Sequence, residues 1–311
     1  MALQKKNSLL KKIQGVVLGF AIGDALGMSR ERVSSVEEVV GFEPNPKKGL
    51  QAGQWTDDSQ HLFLIIDSIL SKKTLDIGDV VKRTCNWYSS GRARSIGLAT
   101  RESMEMLRSG VHYKKSGKKG SMACGNGGLP RVVAYSLYCQ LVDYPIKSDL
   151  NKLLQITHNH KLVREMGKLL DLSLKGLLNG KSPDGMVEDL LENTNKKTSK
   201  GVYQVLDGLR YNDPVKYVQK NIGNGGKVDS TFFSSLYCFL RTPDDFRKSV
   251  LTAVNCGGDT DSRASLTGAM AGAYQGLGRI PSEWVTQVED SNNLLKKAKA
   301  LYSSGLANEL R

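Results

Sequence analysis

The sequence predicts an all-α protein folded as a single compact multi-helix domain, and three observations carry that expectation. Apolar residues recur at three- and four-residue intervals through most of the chain, the spacing of one helix face. Alternating apolar and polar runs, the mark of half-buried strands, are nearly absent. The loops between the periodic stretches are rich in Gly, Pro, Lys and Asn, and none is long or biased enough to be a linker. At 311 residues the chain suffices for one large domain or two ordinary ones. No internal repeat divides it, so one domain over 1–311 is expected, with 1–12 as a basic N-terminal extension.

The first helix is expected over Ile13–Met28. Its glycines fall at Gly15, Gly19, Gly23 and Gly27, every fourth residue and therefore on one face. Each interior glycine costs about 0.5–1 kcal/mol against alanine, so such a stripe has to gain close packing. The periodicity then continues through Gln60–Ser71, Val80–Tyr88, Ala99–Arg108, Arg131–Gln140, Leu150–Thr157 and Leu162–Leu178. Shorter segments follow at Met186–Leu191, Tyr203–Arg210 and Val215–Asn221, then Thr231–Leu240 and Asp244–Val254. Ser262–Leu277 carries a second small-residue stripe, Ala264, Gly268, Gly272 and Gly276, and Leu294–Ser303 closes the series. Both striped helices are expected to be central and closely packed.

Hydrophobic residues make up 40% and charged residues 24%, an ordinary globular balance. The net charge of +13 is high, and the lysines fall in scattered pairs. A basic surface attracts polyanions, but no aromatics interleave with the lysines as in single-strand binders. Nucleic-acid binding is therefore open but not favoured. Five cysteines without a CxxC or metal-finger spacing argue against a disulfide framework and for a reducing compartment. The apolar run after the N-terminal lysines is interrupted by Asp24 and lacks a small-x-small cleavage site. No uncharged apolar stretch reaches spanning length. A soluble, cytoplasmic protein without membrane partners, acting as a monomer, is expected.

Two dense oxygen-donor clusters stand at predicted helix starts. The first is Trp55-Thr56-Asp57-Asp58-Ser59; the second is Gly257-Gly258-Asp259-Thr260-Asp261-Ser262. Acids and hydroxyls there can simply cap free N–H groups and suit the positive dipole end. Two such clusters can instead serve hard divalent cations, which prefer oxygen ligands. Asp24 and Glu31, in and just after the striped first helix, are further acidic candidates. From chemistry alone a two-magnesium hydrolase, activating water between its metals, is one reading.

The segments GVVLGFAIGDALGMSRE, WTDDSQ, CGNGGLPR, THNH and GGDTDSRASLTGAMAGAYQGLGRIP occur in the order seen in ADP-ribosylglycohydrolases. From Gly15 to Trp284 the chain resembles that family. The resemblance implies an all-α fold of the ADP-ribosylglycohydrolase type with a central dinuclear cleft holding two Mg2+ ions. It also implies hydrolysis at the anomeric carbon of the distal ribose, with an ADP-ribosylated protein or small ADP-ribosyl compound as substrate. Position by position it makes Thr56, Asp57, Asp58, Asp259, Asp261 and Ser262 metal ligands, with serine where the family usually has threonine. Glu31, Asp58 and Asp261 become the catalytic carboxylates. Gly125, Asn126, Gly127, Gly128 and His158 become substrate-binding residues, the glycines turning backbone N–H groups toward the pyrophosphate. Leu129-Pro130 departs from the family, which often has methionine before the arginine; Pro130 can equally start the next helix. Two other readings stay open: a non-catalytic ADP-ribose or nucleotide binder, and a magnesium-dependent phosphohydrolase. Gly223-Asn224-Gly225-Gly226-Lys227 imitates part of a phosphate loop. No Ser or Thr follows Lys227, so it is read as a turn.

Overall fold

A computed structural model describes residues 2–31, 38–120, 123–142 and 147–308. Its helices in chain order are α1 (Ala2–Gly27), α2 (Asp57–Lys72), α3 (Ile77–Ser89), α4 (Leu98–Arg108), α5 (Tyr113–Ser116), α6 (Leu129–Leu141), α7 (Lys147–Gln155) and α8 (Lys161–Leu178). There follow α9 (Pro183–Glu192), α10 (Lys196–Gly208), α11 (Pro214–Tyr217), α12 (Val228–Arg241), α13 (Phe246–Asn255), α14 (Thr260–Gln275), α15 (Ser282–Gln287) and α16 (Ser291–Asn308). Among the described residues there is no strand, only isolated bridges such as Gly125 with Lys227. The fold is all-α, as the periodicity predicts. Helix α1 is longer than its apolar stretch, beginning at Ala2. Among the described residues no helix is long and apolar enough to cross a membrane.

The chain groups into two compact units whose segments interleave in sequence. One comprises 1–55, 172–226 and 230–299; the other comprises 56–171, 227–229 and 300–311.

In the first unit α1 and α14 lie against each other along both stripes. A Cβ on Gly15 would run into the Gly272 carbonyl, one on Gly19 into that of Gly268, and one on Gly23 into that of Ala264. Removing the side chains lets the backbones touch, and this explains the periodic glycines. From Val16 to Leu26 the rest of α1 is apolar apart from Asp24, and Val16, Leu18, Phe20, Ile22 and Leu26 are fully buried; such a stretch belongs in a core. Helix α13 flanks the pair, with Phe246 reaching Gly19 and packing edge-on against the buried Trp284. Asp245 starts α13 by accepting a hydrogen bond from the Lys248 amide at 3.0 Å.

The second unit is built on α2 and α6. Leu62, Ile65, Ile66 and Ile69 of α2 are buried, as are Val132, Val133 and Leu137 of α6. Asp76 caps α3, accepting from the Asp79 amide at 3.0 Å. Pro130 stands in the first turn of α6, where its missing N–H costs nothing.

Candidate active site

In the first unit the stripe ends where the chemistry begins. A Cβ on Gly27 would lie 2.5 Å from the Asp261 Cα, so the last glycine of α1 admits the first turn of α14. The Thr260 hydroxyl donates to the Gly27 carbonyl at 2.6 Å and fixes that contact. Glu31, just past α1, thereby meets Asp259 and Asp261. One carboxylate oxygen from each lies within 4.8 Å of the other two, and Asp261 is buried. Asp259 occupies the N-cap position of α14 yet makes no side-chain cap bond. Capping therefore does not account for it. Asp261 Oδ1 accepts from the amide of Ser262, at 2.9 Å.

The loop before α14 is held by its own glycines and by Asn224 and Arg263. Gly257 and Gly258 are both left-handed, at φ 68° and 75°, a backbone that favours glycine. The Asn224 carbonyl accepts from the Asp259 amide at 2.8 Å, and the Asn224 side chain donates to the Cys256 carbonyl at 3.0 Å. Arg263, fully buried, donates to the carbonyls of Asn224 (2.7 Å), Gly257 (2.8 Å) and Ala253 (2.9 Å), and to the Ser234 hydroxyl (3.0 Å). The Gly223–Lys227 stretch, a turn as expected, thus supports the second acid cluster through Asn224.

In the second unit Thr56 stands at the N-cap of α2 without a side-chain cap bond, followed by Asp57 and Asp58 in the first turn. Thr56 and Asp58 are buried. The Asp57 amide donates to the Arg94 carbonyl at 3.0 Å, and Gln60 bonds the same loop at Arg92 and Arg94. Arg131 of α6 supplies positive charge from within the core. Burial pulls its pKa down to about 10, against the opposing pull of Asp57 and Asp58. It stays cationic at neutral pH and balances the acid pair. A lone arginine inside PRVVAYSL is the sequence signal that would have marked it.

Arg131 also orders the substrate-binding candidates. Its Nη1 donates to the Thr157 hydroxyl at 2.6 Å, and that hydroxyl is hydrogen-bonded to His158 Nδ1 at 2.7 Å. The His158 ring is thereby held against Thr157. Burial, then the nearby Arg131, lowers its pKa to about 3, so the ring is neutral. The ring is only 3% exposed and lies under the glycine loop: a Cβ on Gly127 would meet its Cε1 at 3.2 Å. Gly128 has φ −87° and a Cβ there would meet Leu154 at 3.0 Å. His158 and Leu154 thus pack closely on these two glycines. Gly125 and Asn126 are half-buried, and the Asn126 carbonyl accepts from the Leu129 amide at 2.7 Å, joining the loop to α6.

The family model for ADP-ribosylglycohydrolase matches residues 5–310. The chain belongs to the ADP-ribosylglycohydrolase family and is an enzyme hydrolysing glycosyl bonds. It is 28% identical over 305 residues to an uncharacterized protein of Archaeoglobus fulgidus, covering 94% of this chain and 96% of that one. It is 26% identical over 304 residues to the ADP-ribosylarginine hydrolase Tri1 of Pseudomonas putida, covering 94% and 78%. With the ADP-ribosylhydrolase ARH3 of Homo sapiens it shares 25% over 329 residues, covering 90% of each. A solved structure described as an ADP-ribosylglycohydrolase-related protein complex superposes with a TM-score of 0.76 at 26% identity, covering 96% and 99%.

Proposed function

We propose that this enzyme is a magnesium-dependent hydrolase that cleaves ADP-ribose from a modified acceptor, releasing free ADP-ribose. The observation that carries this is the group of Glu31, Asp259 and Asp261, whose oxygens lie within 4.8 Å of one another. Among the described residues the group offers carboxylate oxygens, and an amino group of the chain, Lys48 Nζ, is already drawn to them. That donor set fits a hard divalent cation. Bound Mg2+ would supply Lewis-acid activation of the attacking water.

The chain's own residues supply the rest. Asp259, Asp261 and Ser262, with Thr56, Asp57 and Asp58, are the proposed metal-holding residues, Glu31 would touch the metal or its water, and two ions are the expected number. Glu31, Asp58 and Asp261 are the carboxylates proposed to accept the proton of the attacking water. Their negative charge also favours the oxocarbenium-like state at the anomeric carbon. Gly125, Asn126, Gly127 and Gly128 are proposed to bind the ADP-ribose, with neutral His158 fixing the loop from beneath.

The test is release of ADP-ribose from Arg-, Ser- and base-linked substrates with and without Mg2+. Magnesium-dependent release from at least one linkage is expected, abolished in Asp57→Ala and Asp261→Ala with helicity retained. Full turnover in both variants would sink the assignment. Binding of ADP-ribose without cleavage of any linkage would make the protein a binder, and release of phosphate would make it a phosphohydrolase.

A further inference from the structure

The acid group at the end of α1 contains a positive charge from the chain itself. Lys48, the last residue of the 3-10 turn Pro46–Lys48, pairs through Nζ with Glu31 Oε2 and lies 3.8 Å from Asp261 Oδ2. The side chains of Lys48, Glu31 and Asp261 are only 20%, 11% and 7% exposed. Lys48 Nζ and Glu31 Oε2 are themselves buried atoms. A buried ammonium is costly unless paired, and clustered carboxylates repel one another unless a cation joins them.

The turn is built to bring the lysine there. Asn45 Oδ1 accepts from the Lys48 amide at 3.2 Å, while Asn45 Nδ2 donates to the Met28 carbonyl at 2.7 Å. The Gly49 amide closes the turn on the Pro46 carbonyl at 3.1 Å, and Asn45 and Leu50 pair through their backbones. One asparagine thus ties residue 48 to the chain segment that carries Glu31. The sequence signal, Lys47-Lys48, looks like any other surface lysine pair of this basic chain.

We propose that Lys48 is a tethered cation of the acid group, a positioning residue that competes with a divalent ion for Glu31 and Asp261. It neutralises these carboxylates while no divalent ion is held, and an ion must displace its ammonium to use them. The chain then binds its metal more weakly, and exchanges it more readily, than its carboxylates alone would dictate. This inference rests on the metal-dependent reading above and concerns its metal-binding step alone.

The experiment is Mn2+ binding to the full chain by calorimetry and by electron paramagnetic resonance of the free ion. Wild type, Lys48→Met, Lys48→Gln and Lys48→Arg are compared at one ionic strength and neutral pH. Removing a cation about 4 Å from a ligand oxygen should tighten the Mn2+ Kd of the Met and Gln variants at least about tenfold. The Arg variant should stay near wild type. Metal-free Tm should fall in Lys48→Met and Lys48→Gln, and Mn2+ should raise it further than in wild type. Two neutral replacements keep the test open if one fails to fold without metal. Unchanged or weaker Mn2+ affinity in the neutral variants would reduce Lys48 to a structural ion pair and overturn the proposal. If neither wild type nor any variant binds Mn2+, the metal-dependent reading falls with it. A tightened Kd in a protein that releases no ADP-ribose would retain the Lys48 assignment and remove only the hydrolase one.

Discussion

Single residues carry more of this site than their sequence signals suggest. Asp259 and Asp261 announce themselves, because two acids beside glycines at a helix start are unusual. Asn224 and Arg263 do not. Asn224 works partly through a carbonyl, which every residue possesses, so no residue type marks that part of its role. Arg263 looks like one more basic residue until its donors are followed to three carbonyls and a hydroxyl. Arg263→Lys cannot reproduce a planar fork, and the acceptors it leaves buried lose partners. The expected loss is about 2–4 kcal/mol in urea unfolding, together with a fall in turnover as the Asp259 loop loosens. Unaltered stability and activity in Arg263→Lys would show that the loop holds its shape without the fork.

At the scale of helices, the striped pair was legible and the glycine loop only half so. A glycine every fourth residue repeats a helix penalty that only backbone contact offsets, and α1 and α14 make that contact with each other. Intrinsic propensity and packing therefore make opposite forecasts for Gly23→Ala. Alanine should stabilise an isolated helix by about 1 kcal/mol. Here the new Cβ would meet the Ala264 backbone, and an overpacked core loses about 1–3 kcal/mol. Packing should win, with activity falling too because Gly27 and Asp261 lie about one turn away on the same helices. Gly278→Ala, which meets nothing within 4 Å, is the matched control and should change stability little. A stabilised Gly23→Ala would show that the helices separate freely. For the loop, the glycines were visible in the sequence but the packing against Gly127 and Gly128 was not. The packing partners, His158 and Leu154, lie across the unit, and no local pattern encodes a neighbour that distant.

For the whole molecule, periodicity revealed the helices because each buries an apolar face, whereas the grouping of interleaved segments into two units depends on contacts between distant stretches. The histidines show the same division. THNH was legible as a motif, yet its first histidine is a buried neutral ring, and His61 three residues after Asp58 drew no notice. Burial, then Arg131, then His158 holds the His61 pKa well below its ordinary value; burial and Arg131 bring His158 to about 3. In the unfolded chain both titrate near 6.5. Below that pH the unfolded state takes up protons that the folded state refuses, so stability rises with pH across the window. It is fully present above about 6.5 and drains away on acidification, by up to about 1.4 kcal/mol per pH unit for each histidine. Ordinary carboxylates titrate near pH 4, so the span from about 6.5 down to about 4.5 isolates the histidine contribution. Urea midpoints across that span should fall steadily, and His158→Gln should remove about half of the slope. A midpoint independent of pH in the wild-type protein would mean that these rings accept protons in the folded state, and the neutral support assigned to the glycine loop would then be lost.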